Sequence, residues 1–354
     1  MTTLDLQRVH QVGATAEEVD DFAAAHGWSD GLPVVAPTGE RVAAMGAAAG
    51  EPADTRIGPV PVSGRIADVQ SVAVNAVLAG CRPAHFPAVL ATLRAVLEPA
   101  FNLAGVQATT HPCAPLAVFG GPVVDALGIN CGAGVFGPGT RANAVIGRAV
   151  RLVLLNVGEG IPGTGDEATF GQPGKFTYVA GENEDTSPWP PLRVDHEVDA
   201  DASAVTVFAA EAPHNVNDHG STDGRGVLVT VAGTMRTLGN NNIYLGGDVL
   251  VLLGPEHAAL CARDGLTKDA VAQQLFELAR VRAGELAPEN RARFARIRPD
   301  PFATAADDDL VPIVASADNV VVTVTGGPGR HSMVVPTFGA SRTVTRRLDG
   351  KEVP

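Results

Sequence analysis

Paired cysteines, long apolar runs and a surplus of basic residues are all missing from this chain, and each absence argues against a class of protein. The four cysteines form no Cys-x-x-Cys pair, so neither a zinc ribbon nor a disulfide framework is indicated. No run approaches about 18 uninterrupted apolar residues, the length that a membrane-spanning helix needs. The longest candidate, residues 142–157, is interrupted by Arg148 and Arg151.

Acidic side chains outnumber basic ones, with 39 Asp and Glu against 26 Lys and Arg and a formal net charge of −13. Nucleic acid and anionic membrane surfaces are bound by Lys and Arg in excess on one face, so neither partner is expected. Residues 1–18 contain no apolar stretch after a basic start, so no signal peptide is predicted. We therefore expect a cytoplasmic protein that acts on a small-molecule substrate, and a homo-oligomer, which is the common state of such proteins.

What the chain has in abundance is small and apolar residues: 45% of it is hydrophobic, and it holds 40 glycines. Predicted strands and helices alternate along it, which favours an α/β fold with mixed sheets flanked by helices. No clear linker and no convincing internal repeat is visible. The sequence predicts one α/β unit over residues 1–354, with two interlocked lobes, 1–160 and 161–354, as the alternative.

Hydrophobic periodicity and breaker residues place the predicted elements. Helices are predicted over residues 14–26, 40–49, 66–78, 85–97, 141–157, 224–238, 255–263 and 268–282. Strands are predicted over residues 103–108, 116–119, 178–180, 204–209, 249–253, 311–314, 320–325 and 332–336.

The densest group of polar residues is the segment 213–220, Pro-His-Asn-Val-Asn-Asp-His-Gly, which follows a predicted strand. Sites in open α/β sheets gather at strand ends, where loops converge. His214 and His219 could bind a divalent metal together with a carboxylate. Alternatively, one histidine could act as a general base whose tautomer is fixed by Asp218, so that all three residues are catalytic candidates. The competing interpretation is a polar turn that caps the following helix.

A further histidine, His111, follows the predicted strand 103–108 and precedes a proline. If the two strand ends are neighbours, His111 completes a three-histidine metal set with His214 and His219. A lone histidine is more often structural, which is the alternative here.

Two glycine-rich segments are candidates for binding a substrate. Gly139 and Thr140 precede a predicted helix, whose free N–H groups and positive dipole end favour an anion, with Arg141 adding charge and Asn143 a directional amide. The segment is neither a Walker A motif nor a dinucleotide-binding Gly-x-Gly-x-x-Gly. The turn 326–332, which carries His331, could close over a bound anion. A plain helix start and a plain hairpin loop are the alternatives.

Two other features could carry chemistry. Glu182 and Glu184 lie two residues apart in the proline-rich segment 181–191, where they could serve as a general acid/base or as metal ligands, or belong to a solvated acidic loop. Cys81 precedes Arg82, and a neighbouring cation lowers the pKa of a thiol, so Cys81 is the cysteine expected to be reactive.

Five segments in combination resemble a bacterial family that is associated with the small UGSC-motif (seleno)proteins, and the similarity covers most of the chain. They are Asp-Gly-Leu-Pro-Val-Val at 30–35, Ala-Gly-Cys-Arg-Pro at 79–83, Gly-Pro-Gly-Thr-Arg-Ala-Asn at 137–143, Gly-Glu-Asn-Glu-Asp-Thr-Ser-Pro-Trp at 181–189, and the segment 213–220. The resemblance implies an enzyme or an enzyme component, together with a small redox partner protein.

Three functions are therefore expected, in descending order. The first is an enzyme of hydrolase or lyase type that acts on a small polar or anionic substrate through the histidine-rich site, with a divalent metal or by general acid/base chemistry. The second is a non-catalytic binding protein. The third is a thiol-based redox component that uses Cys81.

Overall fold

The computed structural model describes residues 9–13 and 15–349 of the chain. Within these residues the helices are α1 (Ala16–His26), α2 (Gly39–Ala47), α3 (Val69–Leu78), α4 (Phe86–Leu97), α5 (Leu103–Ala108), α6 (Val123–Leu127), α7 (Arg141–Asn156), α8 (Gly224–Met235), α9 (Asn241–Leu245), α10 (Pro255–Arg263), α11 (Lys268–Leu278), α12 (Pro288–Ile297) and α13 (Pro299–Phe302). The strands are β1 (Arg56–Val60), β2 (Arg65–Asp68), β3 (Ala114–Gly120), β4 (Val179–Gly181), β5 (Ala204–Ala210), β6 (His214–Asn217), β7 (Val249–Leu253), β8 (Arg280–Arg282), β9 (Leu310–Pro312), β10 (Val320–Val324), β11 (His331–Val335) and β12 (Val344–Arg347).

Two four-stranded sheets form the centre of the molecule. The first sheet has the order β12-β5-β3-β4 and the second sheet has the order β10-β7-β11-β6. Both contain parallel and antiparallel neighbours, so the predicted α/β fold with mixed sheets is confirmed.

The sheets and helices are stacked in layers because successive residues of each strand point to opposite faces. One face of the first sheet lies against a helical layer that includes α4 and α7, and one face of the second sheet lies against α8 and α11. The other two faces meet in a core between the sheets, to which Leu116, Phe208, Leu250 and Val335 contribute. The strands are therefore covered on both sides, which explains their nearly continuous apolar sequences.

The two sheets follow the same plan. In each, a central strand pairs in parallel with one neighbour and antiparallel with the other, and a second antiparallel strand lies at the edge. The edge strands are exchanged, because β6 directly follows β5 along the chain yet joins the second sheet, while β12 follows β11 and joins the first. A boundary at residue 160 would separate β3 from its partners β4 and β5.

Some elements differ from the sequence-based prediction. Residues 103–108, predicted as a strand, form the helix α5, because a six-residue apolar run fits either structure. The segment 213–220, predicted as a loop, contains the strand β6. The N-cap of α8 lies outside the segment 213–220, which was considered as its cap. It is Asp223, whose side chain accepts a hydrogen bond from the N–H of Gly226.

Among the described residues, no single helix is long and apolar enough to cross a membrane. One pair of helical segments, Pro83–Leu97 and Pro99–Ala108, meets the length and composition criteria when taken together across a bend of 67°.

Candidate functional site

A cleft of about 380 Å³ lies where the end of β7 and the first residues of β11 meet the segment 133–137. Its volume falls within the range of small-molecule sites. The turn 326–332, which was singled out from the sequence, forms one wall together with His331, and the segment 133–137 forms another. Six glycines line it: Gly134, Gly137, Gly254, Gly326, Gly327 and Gly329.

Close backbone contacts require glycine at two of these positions. A Cβ atom at Gly327 would lie 2.7 Å from the Cβ of Ala133, and one at Gly254 would overlap the carbonyl oxygen of His331. Real Cβ atoms do not approach other atoms so closely, so a side chain at either position would push the cleft walls apart. The glycines thus set the width of the cleft.

Two histidines converge beside the cleft. The Nε2 atoms of His219 and His331 are 3.3 Å apart, and their rings lie edge to face with centroids 5.1 Å apart. The Nδ1–H of His331 donates to the amide oxygen of Asn215 at 3.1 Å, since that oxygen can only accept. Both histidines are exposed, so a ligand can reach them. We call these two side chains the histidine pair.

A third imidazole, that of His257 on α10, lies beside β11. The hydroxyl of Ser332 donates to the Nδ1 of His257 at 2.7 Å, and the Nε2–H of His257 donates to the carbonyl oxygen of Asp218 at 3.0 Å. Ser332 borders the cleft together with His331 and Met333, and its hydroxyl also reaches His257 on α10. His257 is fully buried, and burial lowers its pKa, which keeps the ring neutral. This hydrogen-bonded pair ties β11 to the helical layer.

The carboxylate of Asp218 accepts hydrogen bonds from the hydroxyls of Ser221 and Thr230 and from the backbone N–H groups of Gly220 and Ser221. Burial raises its pKa, but these hydrogen bonds outweigh burial and lower the pKa to about 2. Asp218 therefore organises the turn before α8. It does not orient a histidine ring through its carboxylate, as the sequence had suggested.

The three histidines predicted as a metal set are not gathered into one. The Nε2–H of His111 donates to the carboxylate of Glu211 at 2.6 Å, while its buried Nδ1 has no hydrogen-bond partner. His214 is exposed at the start of the edge strand β6. No group of three or more His, Cys, Asp and Glu side chains within the described residues is arranged to hold a metal ion. The proposed adjacency rested on a strand before His111, where the structure has the helix α5.

Glu182 and Glu184 are tied into the protein and do not form a solvated loop. Glu182 is 3% exposed and accepts hydrogen bonds from Thr323 and from the N–H of Leu192. Burial raises its pKa, and the hydrogen bonds oppose that effect. Glu184 forms an ion pair with the buried Arg193, at 2.6 Å, and accepts from the N–H of Gly121. Both carboxylates lie near Gly120, although Glu184 is in a short 3-10 helix, Glu184–Thr186, and not on the extended chain that the sequence predicted.

The predicted anion site at the start of α7 does not form part of the cleft wall. The cleft is bordered by residues 133–137, while Gly139 and Thr140 are not among its lining residues. Arg141 is exposed and donates weakly, at 3.4 Å, to the carbonyl oxygen of Gly80. Asn143 is buried and clamps the backbone at Asn130, since its side chain both accepts from the N–H and donates to the carbonyl oxygen there.

The sequence predicts that the pKa of the Cys81 thiol is lowered, whereas the structure places the thiol where its pKa is raised. Burial raises the pKa of the thiol to about 12, and the nearby guanidinium of Arg148 opposes this only in part. The thiol donates to the carbonyl oxygen of Val145 at 3.3 Å. Almost no thiolate is present near neutral pH, which removes the basis for the redox hypothesis at this residue.

Two other pockets differ from the cleft in character. A pocket of about 540 Å³ beside α1 and α2 has mainly apolar walls, including Phe22 and Trp28. A pocket of about 350 Å³ contains Arg151, Asp166 and Lys175, whose charges are paired with one another at 2.6–2.9 Å. Of these three pockets, the cleft is the one lined by His331, whose Nε2 lies 3.3 Å from the Nε2 of His219.

The sequence does not reveal the hydrogen-bond partners of the histidines. The sequence pattern does not single out His257, Asn215, Ser332 or Glu211. A signal for His257 existed, because it lies on the apolar face of α10 with Ala258 and Cys261, where a buried imidazole needs partners. No local signal could have joined His219 to His331, which are 112 residues apart.

Comparison with known proteins adds no identity. No protein-family model matches the chain, and no curated protein matches it. The resemblance to the family associated with UGSC-motif proteins therefore remains a prediction.

Proposed function

We propose that this protein is an enzyme of hydrolase or lyase type, that its small polar substrate occupies the glycine-lined cleft, and that the histidine pair supplies the reactive groups. One observation carries the proposal. Three segments that are far apart in the sequence, 133–137, 213–220 and 326–332, converge at this place and bring His219 and His331 together. Converging ionisable groups beside a concave surface are the usual mark of a catalytic site.

The size of the cleft and the nature of its walls support a small substrate. Its volume of about 380 Å³ is near the lower end of the range for small-molecule sites. Glycine walls let a substrate approach the backbone closely, and Leu252 and Met333 provide an apolar floor. A polar group of the substrate would then lie against His331.

The test is turnover of a panel of small polar esters, amides, phosphoesters and hydroxy acids, followed by mass spectrometry. For a substrate that is turned over, we expect His331→Ala and His219→Ala to lower kcat/KM by a factor of about 100 or more, the usual range for a group that takes part in proton transfer or ligation. His214→Ala is the matched control, since it removes an exposed histidine of the same segment, and it should change kcat/KM less than twofold. Turnover that survives both substitutions would refute the proposal.

Binding of panel compounds in the cleft without any turnover would support a non-catalytic binding protein instead.

A further inference from the structure

We infer that the histidine pair is a binding site for a divalent transition metal of the zinc class. The inference deepens the proposed function, and it depends on that function only for the link between the metal and a substrate. Its basis is the position of two nitrogen atoms. The Nε2 atoms of His219 and His331 point toward each other from different segments and are 3.3 Å apart.

This separation matches the edge of a metal coordination sphere. Two tetrahedral bonds of about 2.0–2.1 Å from zinc to imidazole place their nitrogen atoms about 3.3–3.4 Å apart. At 3.3 Å the two nitrogens also form a long hydrogen bond in the absence of an ion. The spacing therefore lets an ion replace the shared proton without moving either ring.

The protonation of His331 also suits a ligand. Its Nδ1–H donates to the side-chain oxygen of Asn215, at 3.1 Å, and in this tautomer of the neutral ring the lone pair is on Nε2. Histidines that bind metals commonly donate their other N–H to an oxygen in this way, which fixes both the tautomer and the ring orientation. Asn215 would thus be a positioning residue for His331.

The surroundings tolerate a cation. Arg330, the nearest guanidinium along the chain, donates to the carbonyl oxygens of His219 and Ser221 and lies 3.7 Å from the carboxylate of Glu256, so its charge is partly compensated. Catalytic zinc sites usually have three protein ligands and one open position, so an ion on the histidine pair would need water or substrate at its remaining positions. Because His331 lines the cleft, a ligand in the cleft can reach those positions.

The experiment is titration of untagged, chelator-treated protein with Zn²⁺ by calorimetry, repeated with Co²⁺ and followed by its visible absorption. We expect one equivalent to bind to the wild type, and His219→Ala and His331→Ala each to weaken binding at least tenfold. Asn215→Ala should weaken it by a smaller factor, and His214→Ala should leave it unchanged. Both histidines are exposed, so neither substitution should disturb folding, and each tests the site from a different segment of the chain.

Several results would overturn the inference: no binding of Zn²⁺ by the wild type, equal binding by the wild type and His219→Ala, or equal loss in His214→Ala. If the chelator-treated wild type turns over substrate and the two variants do not, the metal inference fails and the proposed function survives. If Zn²⁺ binding depends on the pair but no panel compound enters the cleft or is turned over, the metal site stands and the proposed function fails.

Discussion

The two sheets of this protein share one plan but end differently. At the end of β3 and β4, the space beside Gly120 is filled: a Cβ atom there would lie 3.0–3.2 Å from Arg193, Glu182 and Glu184. At the corresponding end of β7 and β10, the space beside β11 is the open cleft with the exposed histidine pair. We call these places the filled end and the open end.

The difference separates scaffold from site. At the filled end every carboxylate has partners within the protein, and Arg193 is buried with a side chain only 3% exposed. At the open end the Nε2 atoms of the histidine pair face only each other. Buried charges that are fully paired hold a fold together, whereas accessible groups without strong partners remain available to a ligand.

The largest expected effect on stability is at the filled end. Glu184→Ala leaves the buried guanidinium of Arg193 without its carboxylate, which should lower the free energy of unfolding by about 3–5 kcal/mol. Urea unfolding measures this change. Because His331 is exposed, His331→Ala should cost less than about 1 kcal/mol in the same assay.

The control for Glu184→Ala is the double variant Glu184→Ala with Arg193→Met, which should recover part of the lost stability because no buried charge is left unpaired. Equal destabilisation by Glu184→Ala and His331→Ala would contradict the distinction between the two ends.

The next effect concerns Asp218, which lies at the open end but belongs to the scaffold. Asp218→Ala removes the acceptor for Ser221, Thr230 and Gly220, and should cost about 2–3 kcal/mol in the free energy of unfolding. Asn217→Ala, at the exposed neighbouring residue, should change stability by less than about 0.5 kcal/mol. A stable Asp218→Ala protein that no longer binds ligands would assign Asp218 to the site.

A smaller effect depends on pH. Burial lowers the pKa of His257 in the folded protein below its ordinary value of about 6.5. The unfolded chain therefore binds the proton more readily, and the stability gained from neutral His257 is fully present above pH 6.5 and decreases as the pH falls. One such group changes stability by at most about 1.4 kcal/mol per pH unit.

The pH dependence of unfolding should thus be weaker in His257→Gln than in the wild type. Burial also lowers the pKa values of His85 and His196, but both contribute equally in the two proteins and cancel in the comparison. Parallel stability curves from pH 7.5 to 5 would show that His257 is not held neutral.

The smallest effect on turnover is expected from substitution of Cys81, which lies outside both the filled end and the open end. Because burial raises its pKa to about 12, alkylation of the folded protein at pH 7.5 should be about a thousandfold slower at Cys81 than at an exposed cysteine. Peptide mapping after iodoacetamide treatment measures the rate. Cys81→Ala should leave turnover within twofold; a fast reaction together with a loss of turnover would restore the redox hypothesis.

Local patterns in the sequence predicted many of the helices and strands. The apolar strands β5, β7 and β10 and the periodic helices α4 and α7 lie where they were predicted, within a few residues. The strand β6 was missed because His-Asn-Val-Asn is polar, and it forms only because β11 offers it an edge. The plan shared by the two sheets was also invisible, since it consists of strand order and direction and not of repeated residues.

The sequence predicts only part of the candidate site, because local patterns do not show long-range contacts. The segment containing His219 and the turn containing His331 were each singled out from their residue types, but as separate features. Their convergence depends on the pairing of β11 with β6, which is a long-range contact. His111, Arg141 and the two glutamates were candidates because of their residue types and their places at predicted strand ends, a helix start and a loop, and the structure gives each of them other partners.

The most direct test of the central claim, that the open end is where a ligand binds, is a crystallographic soak with a library of small polar compounds. Bound compounds are expected in the glycine-lined cleft, with a polar atom within hydrogen-bond distance of His331 or His219. Compounds found repeatedly in the pocket beside Trp28 or the one beside Lys175, and never in the cleft, would contradict it.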